Sequence, residues 1–173
     1  MEGIFGKPIV TQEEVRTRIR ELGRQITADY AHKDLLLIGI LKGAFVFYAD
    51  LARAIGLPLR VDFLVVSSRH NTPKAPVRVD ILTELTEDVA GRDVLLVEDI
   101  IDSGRTVEAV VKRLHRLGPA SLRIAALLDR PARREVDVKI DFTGFVIPDR
   151  FVIGYGLDYA GLYRELPGIY ALT

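Results

Sequence analysis

Three carboxylates, Glu98, Asp99 and Asp102, close the apolar run of residues 94–107, VLLVEDIIDSGRTV. Acids crowded at the end of a hydrophobic segment repel one another and resist desolvation, so folding alone gives little reason to put them there. The turn after them, DSGRT, carries the hydroxyls of Ser103 and Thr106. It also has a glycine, Gly104, that lets backbone N–H groups turn inward. A helix starting near Thr106 would aim its positive end into that turn, and a phosphate monoester fits such a place. The GxxxxGK[ST] spacing of a nucleoside-triphosphate loop is absent. An ordinary strand-to-helix turn capped by Ser and Thr has the same residues, and the turn by itself leaves both readings open. Glu98 and Asp99 shift the balance. Adjacent acids beside a phosphate pocket suit a sugar whose vicinal hydroxyls donate to carboxylates, and they also suit Mg²⁺, bound directly or through water.

The elements that must position these residues alternate along the chain. Residues 11–30 form an amphipathic helix, with Thr11 as N-cap, Glu14 three residues on, and Val15, Ile19, Leu22, Ile26 and Tyr30 on one face. DLLLIGIL (34–41) is the nearly unbroken apolar run of a strand buried on both faces, and the helix after it is stopped by Gly56 and Pro58. Further strands are expected at 59–67, 94–98 and 121–129, with a helix between the last two. Residues 67–76, SSRHNTPKAP, are polar and aperiodic and read as a mobile loop, after which 77–85 can return as a strand. This alternation predicts an α/β fold, a parallel sheet with helices on both faces. In such sheets ligands sit at the carboxyl ends of the strands. LKG, SSRHN, EDIIDSGRT and DRPARR should therefore converge on one edge.

The 173 residues suffice for one well-filled core, and no break in composition divides them. Lys and Arg number 24, as do Asp and Glu, so no global field gathers nucleic acid or a membrane surface. The chain has no cysteine, and its first twenty residues carry charges instead of a signal-peptide core. A cytoplasmic protein with small partners is expected.

VLLVEDIIDSGRTV resembles the phosphoribosyl-pyrophosphate signature of the type I phosphoribosyltransferases, and its VEDIID form is similar to the hypoxanthine-guanine, or 6-oxopurine, branch. ILKGAFVFYADL and GFVIPDRFVIGYGLDYAGLYREL are similar to that branch in order and spacing, so the resemblance extends over nearly the whole chain. It implies one domain, 1–173, of the type I phosphoribosyltransferase fold: a central parallel sheet flanked by helices, a small hood from about 1–10 and 130–173, and a lid loop at about 67–77. The implied reaction is Mg²⁺-dependent transfer of 5-phosphoribosyl from phosphoribosyl pyrophosphate to N9 of hypoxanthine or guanine, giving IMP or GMP and pyrophosphate in purine salvage.

The resemblance also implies roles. Glu98 and Asp99 would lie by the ribose hydroxyls, and Asp102, Ser103, Gly104, Arg105 and Thr106 would wrap the 5′-phosphate. Asp102 matches the catalytic residue beside N7 of the purine, where it takes and returns a proton. Lys42 and Gly43 match a turn that contacts pyrophosphate, with Arg164 as a further holder. Phe151 would stack on the base, Ile100 would cover its other face, and Val152 would read its edge through backbone groups. Asp158 would lie near base and metal, the metal set being Glu98, Asp99 and Asp158. Two departures stand out. Arg130 replaces the lysine that usually reads the purine O6, and in the lid Arg69 follows Ser68 where a tyrosine is usual. The partners implied are phosphoribosyl pyrophosphate and a 6-oxopurine base, without nucleic acid or membrane, in a homodimer or homotetramer. A xanthine-preferring enzyme is the nearest alternative. A nucleotide-sensing RNA-binding regulator on the same fold is a second, against which the balanced charge and the purine-type segments speak.

Overall fold

The computed structural model describes residues 5–69 and 78–172. Two sheets organise them. The larger has six strands in the order β4-β3-β2-β5-β6-β7, formed by β2 (Leu35–Leu41), β3 (Arg60–Arg69), β4 (Arg78–Ile81), β5 (Asp93–Ile101), β6 (Ser121–Asp129) and β7 (Phe142–Val146). Five of these run parallel, and β4 returns antiparallel along β3. The sheet is therefore mixed rather than wholly parallel, since β3 ends at Arg69 and β4 begins at Arg78, too close in the chain for the dozen or so residues of a parallel crossover.

Why this layering forms is visible in β2 and β5. Successive side chains alternate faces, so an unbroken apolar run needs a cover on each side. Leu35, Leu37, Leu95 and Val97 pack beneath α1 (Gln12–Asp29) and α2 (Phe45–Ala54), whereas Leu36, Ile38, Leu96 and Val94 pack against Val107, Val110 and Leu114 of α3 (Arg105–His115). Helix α1 opens with a capping box: Glu14 N–H donates to Thr11 Oγ1 (3.3 Å) and Thr11 N–H to Glu14 Oε2 (2.7 Å). Its Arg18 donates to the carbonyls of Gly144 (3.1 Å) and Thr143 (2.8 Å), occupying acceptors along edge strand β7.

The second sheet is antiparallel, β1 (Phe5–Val10), β9 (Ile169–Leu172) and β8 (Val152–Ile153) in the order β1-β9-β8. It draws on both ends of the chain, but residues 142–146 extend the main sheet, so 130–173 is not one structural unit. Other boundaries also differ from those expected. β3 continues through Ser68 and Arg69, paired with Val79 and Arg78, so a loop beginning at 67 starts too early. β5 runs on to Ile101 because β6 is long enough to pair with it, Ile101 lying opposite Asp129. Glu98 and Asp99 are thus still in the strand. The rest of the expected lid, 70–77, and the side chains of Ser68 and Arg69 lie outside the described residues.

Candidate active site

β2 leaves the sheet through α2 toward β3, while β5 leaves through α3 toward β6, in the opposite direction. The two strands are neighbours, so their carboxyl ends frame the crevice where the order of the sheet reverses. A cavity of about 370 Å³ lies there, lined by Lys42, Gly43, Glu98, Asp99, Ile100, Asp102, Ser103, Gly104 and Thr106. Nine expected site residues from two distant segments come together in it.

The LKG turn is pressed onto the acid pair. The Leu41–Lys42 peptide is cis. A Cβ on Gly43 would fall 1.6 Å from Asp99 Oδ2, so only glycine lets the turn lie on that carboxylate. Gly156, at φ 102°, in turn faces Gly43: its own Cβ would fall 2.1 Å from the Gly43 carbonyl oxygen.

Glu98 is 5% exposed. Burial, and then the neighbouring Asp99 charge, raise its carboxyl well above the ordinary 4.5. Asp99 is raised as well, chiefly by burial, against the opposing pull of the Glu98 contact, the Ile100 N–H and the Arg164 charge. Asp99 N–H donates to Glu98 Oε1 (3.0 Å) and Ile100 N–H to Asp99 Oδ1 (2.7 Å). Both shifts favour the protonated carboxyl, and a cation at the pair would oppose them. Among the described residues no group of three His, Cys, Asp or Glu side chains is arranged to hold a metal. Asp158 in particular does not join Glu98 and Asp99, since its carboxylate meets Arg164 Nη2 (2.6 Å) and accepts from Gly161 N–H (2.7 Å). An acid pair without a third ligand fits Mg²⁺, which keeps several waters and is usually completed by substrate phosphates.

The DSGRT turn, expected at the 5′-phosphate, includes Gly104, the N-cap of α3, at φ 85° and without a side-chain cap. Its Cβ position is closed by Val136 O and Val138 Cγ2, each at 2.9 Å. The start of α3 opens to the cavity through the backbone, as an anion site requires. Arg105, expected at the phosphate, turns its side chain to Glu135 (Nε to Oε2, 2.6 Å).

A brace that sequence reasoning missed backs this turn. Glu135 and Val136 N–H groups donate to Ser103 O at 3.0 and 2.9 Å, and Arg134 Nε donates to Asp102 O at 2.9 Å and Nη2 to Ile101 O at 3.2 Å. Arg134 also pairs with Asp129. The only signal in the chain was the arginine density of RPARRE just past β6, which reads equally well as a solvated surface.

The other expected residues whose side chains are described lie outside the cavity. Phe151 is 47% exposed and meets Tyr159 edge-on, with centroids 5.8 Å apart. Val152 is buried in β8, paired with Ala171. Arg164 spends its fork on Asp158 and on the Gly156 carbonyl (2.6 Å), beside a separate, larger cavity between α1, α2 and the segment 164–167. Arg130, expected at the purine O6, is buried instead: Nε donates to Asp102 Oδ1 (2.6 Å), Nη2 to Asp102 Oδ2, and Nη1 to the Arg150 carbonyl.

Comparison with known proteins agrees with this geometry. The phosphoribosyl transferase domain family matches residues 7–160. The chain is similar to the hypoxanthine phosphoribosyltransferase of Salmonella typhimurium, 50% identical over 161 residues and covering 92% of this chain and 90% of that protein. It is 45% identical to the hypoxanthine-guanine phosphoribosyltransferase of Bacillus subtilis, over 94% and 91% of the two chains. A crystal structure of a hypoxanthine phosphoribosyltransferase from Staphylococcus aureus superposes with a TM-score of 0.93 at 40% identity, covering 98% of this chain and 92% of that one. With an acid pair and an open helix N-terminus at the switch point of such a sheet, the chain belongs to the phosphoribosyltransferase family, among the hypoxanthine and hypoxanthine-guanine enzymes.

Proposed function

We propose that this protein transfers the 5-phosphoribosyl group of phosphoribosyl pyrophosphate to N9 of hypoxanthine or guanine, in purine salvage. The observation that carries the reading is the crevice between β2 and β5, where the open start of α3, the buried Glu98 with the half-buried Asp99, and the LKG turn share one cavity. N9 of the base forms a bond to C1′ of the ribose as the bond from C1′ to the pyrophosphate oxygen breaks, and pyrophosphate leaves with the electron pair. The base gives up one proton. No residue has to act as nucleophile, so positioning and charge carry the catalysis.

The residues divide that work. Backbone N–H groups of 103–106 with the hydroxyls of Ser103 and Thr106 hold the 5′-phosphate, and Glu98 and Asp99 accept from the ribose hydroxyls. When bound, Mg²⁺ supplies positive charge to the pyrophosphate oxygens, with Glu98 and Asp99 the residues on this chain that would hold it. Lys42 and the Gly43 backbone lie where a leaving pyrophosphate needs counter-charge, and Arg164 joins them once it releases Asp158 or Gly156. Phe151 provides a face for the purine, with Val152 and Ile100 beside it, and Asp102 takes the N7 proton. Among the described residues no helix is long and apolar enough to cross a membrane; cytoplasmic location and assembly as a homodimer or homotetramer complete the proposal.

A spectrophotometric assay of hypoxanthine, guanine and xanthine with phosphoribosyl pyrophosphate and Mg²⁺ tests the reading. Turnover of hypoxanthine or guanine is expected, and turnover of none of the three would remove it.

A further inference from the structure

Arg130 is the first residue past β6, and its backbone N–H continues the ladder to Ile101 O (3.1 Å). Arg130 is among the few buried charged residues described, at 4% exposed. A buried cation must be paired and hydrogen-bonded, and all three of its nitrogens are. Two of them form a parallel fork on the carboxylate of Asp102, a geometry that a planar guanidinium provides and a point-charge ammonium does not. The third donates to the carbonyl of Arg150, the residue directly before Phe151. One side chain thus bridges the opening residue of the phosphate turn and the backbone that carries the exposed aromatic ring. The same stretch is held to β6 a second time, by Ile147 N–H donating to Asp129 O (2.9 Å).

We propose that Arg130 is a positioning residue that ties Asp102 to the segment bearing Phe151, setting the place of the proton-accepting carboxylate relative to the face on which the base lies. It does so by holding both oxygens of Asp102, so no nitrogen of Arg130 is left over to read the purine O6 unless one of these bonds is given up. The inference rests on the roles proposed above for Asp102 and Phe151. It differs from a base-reading role in what its loss does. A tie that fails misaligns proton transfer equally for every 6-oxopurine, whereas a lost reader weakens base binding.

The test compares Arg130→Gln and Arg130→Lys, each alone and with Asp102→Asn, by kcat and by KM for hypoxanthine, guanine and phosphoribosyl pyrophosphate, with IMP affinity and melting temperature alongside. For Arg130→Gln the expected result is a fall in kcat of roughly tenfold or more, equal for the two bases, while base KM and IMP affinity stay within about threefold. Arg130→Lys, which keeps the charge but reaches fewer acceptors, recovers part of that loss. In the Asp102→Asn background Arg130→Gln costs no further kcat, because the two act as a unit. An unchanged kcat with a raised base KM would overturn the proposal in favour of a base reader, and an unchanged kcat with only a lowered melting temperature would reduce Arg130 to packing. If Arg130→Gln does not fold, Arg130→Lys decides alone: lowered kcat with base KM kept supports the tie, and wild-type kcat rejects it. Normal turnover by Asp102→Asn itself is a different failure, since it removes the proton-transfer role of Asp102 and leaves the tie with nothing to position.

Discussion

Gly156→Ala separates backbone strain from close approach, because Gly161 supplies a control five residues away. Both glycines have positive φ, 102° and 84°. A Cβ at 161 meets nothing within 4 Å, whereas a Cβ at 156 falls 2.1 Å from the Gly43 carbonyl oxygen. Gly161→Ala therefore bears only the conformational penalty, about 1–2 kcal/mol. Gly156→Ala bears a strain of about 1–3 kcal/mol and, in addition, an overpacking cost of about 1–3 kcal/mol against backbone that cannot rotate away. A chain of this size loses roughly 2–4 °C per kcal/mol, so the expected drop is about 10 °C or more for Gly156→Ala and about 5 °C for Gly161→Ala. The displaced group is the LKG turn, which lies on Asp99. Gly156→Ala should accordingly raise the KM for phosphoribosyl pyrophosphate, by roughly tenfold if one charged contact is weakened, and Gly161→Ala should leave it unchanged. Differential scanning calorimetry and steady-state kinetics read the two effects. Equal losses of melting temperature in the two variants, with KM unchanged in both, would refute the claim that segment 154–156 braces the pyrophosphate turn.

Asp102→Asn should lower kcat by roughly 10²–10⁴, because an amide cannot take the N7 proton. It should also cost about 1–3 kcal/mol of stability by leaving the Arg130 guanidinium without its counter-charge, less than for a fully buried pair because Asp102 is about one-third exposed; a urea titration beside the rate assay checks both. The Glu98–Asp99 pair binds protons more tightly folded than unfolded. The stability it contributes is therefore full below the unfolded values of 4.5 and 3.8, and it declines as pH rises through the raised folded values. Glu98→Gln, uncharged throughout, should flatten that decline in unfolding curves collected across pH and should raise the Mg²⁺ and phosphoribosyl-pyrophosphate requirements together; a pH slope identical to the parent's would contradict the assignment. Phe151→Ala should raise the base KM about 2- to 10-fold, the worth of a single stacking contact, without altering the KM for phosphoribosyl pyrophosphate; an unaltered base KM would place the purine elsewhere.

The residues that line the crevice were legible because they are clustered in the chain and lie where physics marks them. Glu98, Asp99 and the 102–106 turn follow an apolar strand, and a strand end at a switch point is where ligands sit. Lys42 and Gly43 follow a second such run. The base residues were expected from resemblance alone and lie outside the crevice, and a phenylalanine in DRFVIGY has no local feature separating a stacking ring from a core one. What composition and periodicity could not reach were contacts made across long separations: Arg130 to Asp102, Arg134 to the Ile101 and Asp102 carbonyls, and Gly156 to Gly43. Each depends on tertiary placement of irregular backbone, which carries no period. The end of β5 was misjudged for a related reason. Charges at Glu98 and Asp99 looked like the close of a strand, yet pairing with β6 is a property of backbone and continues beneath them.

The pairing of β1 with β9, in which Phe5 faces Leu172, bears on the order of assembly during synthesis. β1 is made before the other described strands and waits for β9, made after them, and β8 borders β9 in the same sheet. The crevice between β2 and β5 is lined by no residue of that sheet and can close before β9 is made. A nascent chain halted before Ile169 would then hold the crevice without the finished second sheet, and hydrogen exchange on such a truncation should find β2 and β5 protected while β1 and β8 exchange freely.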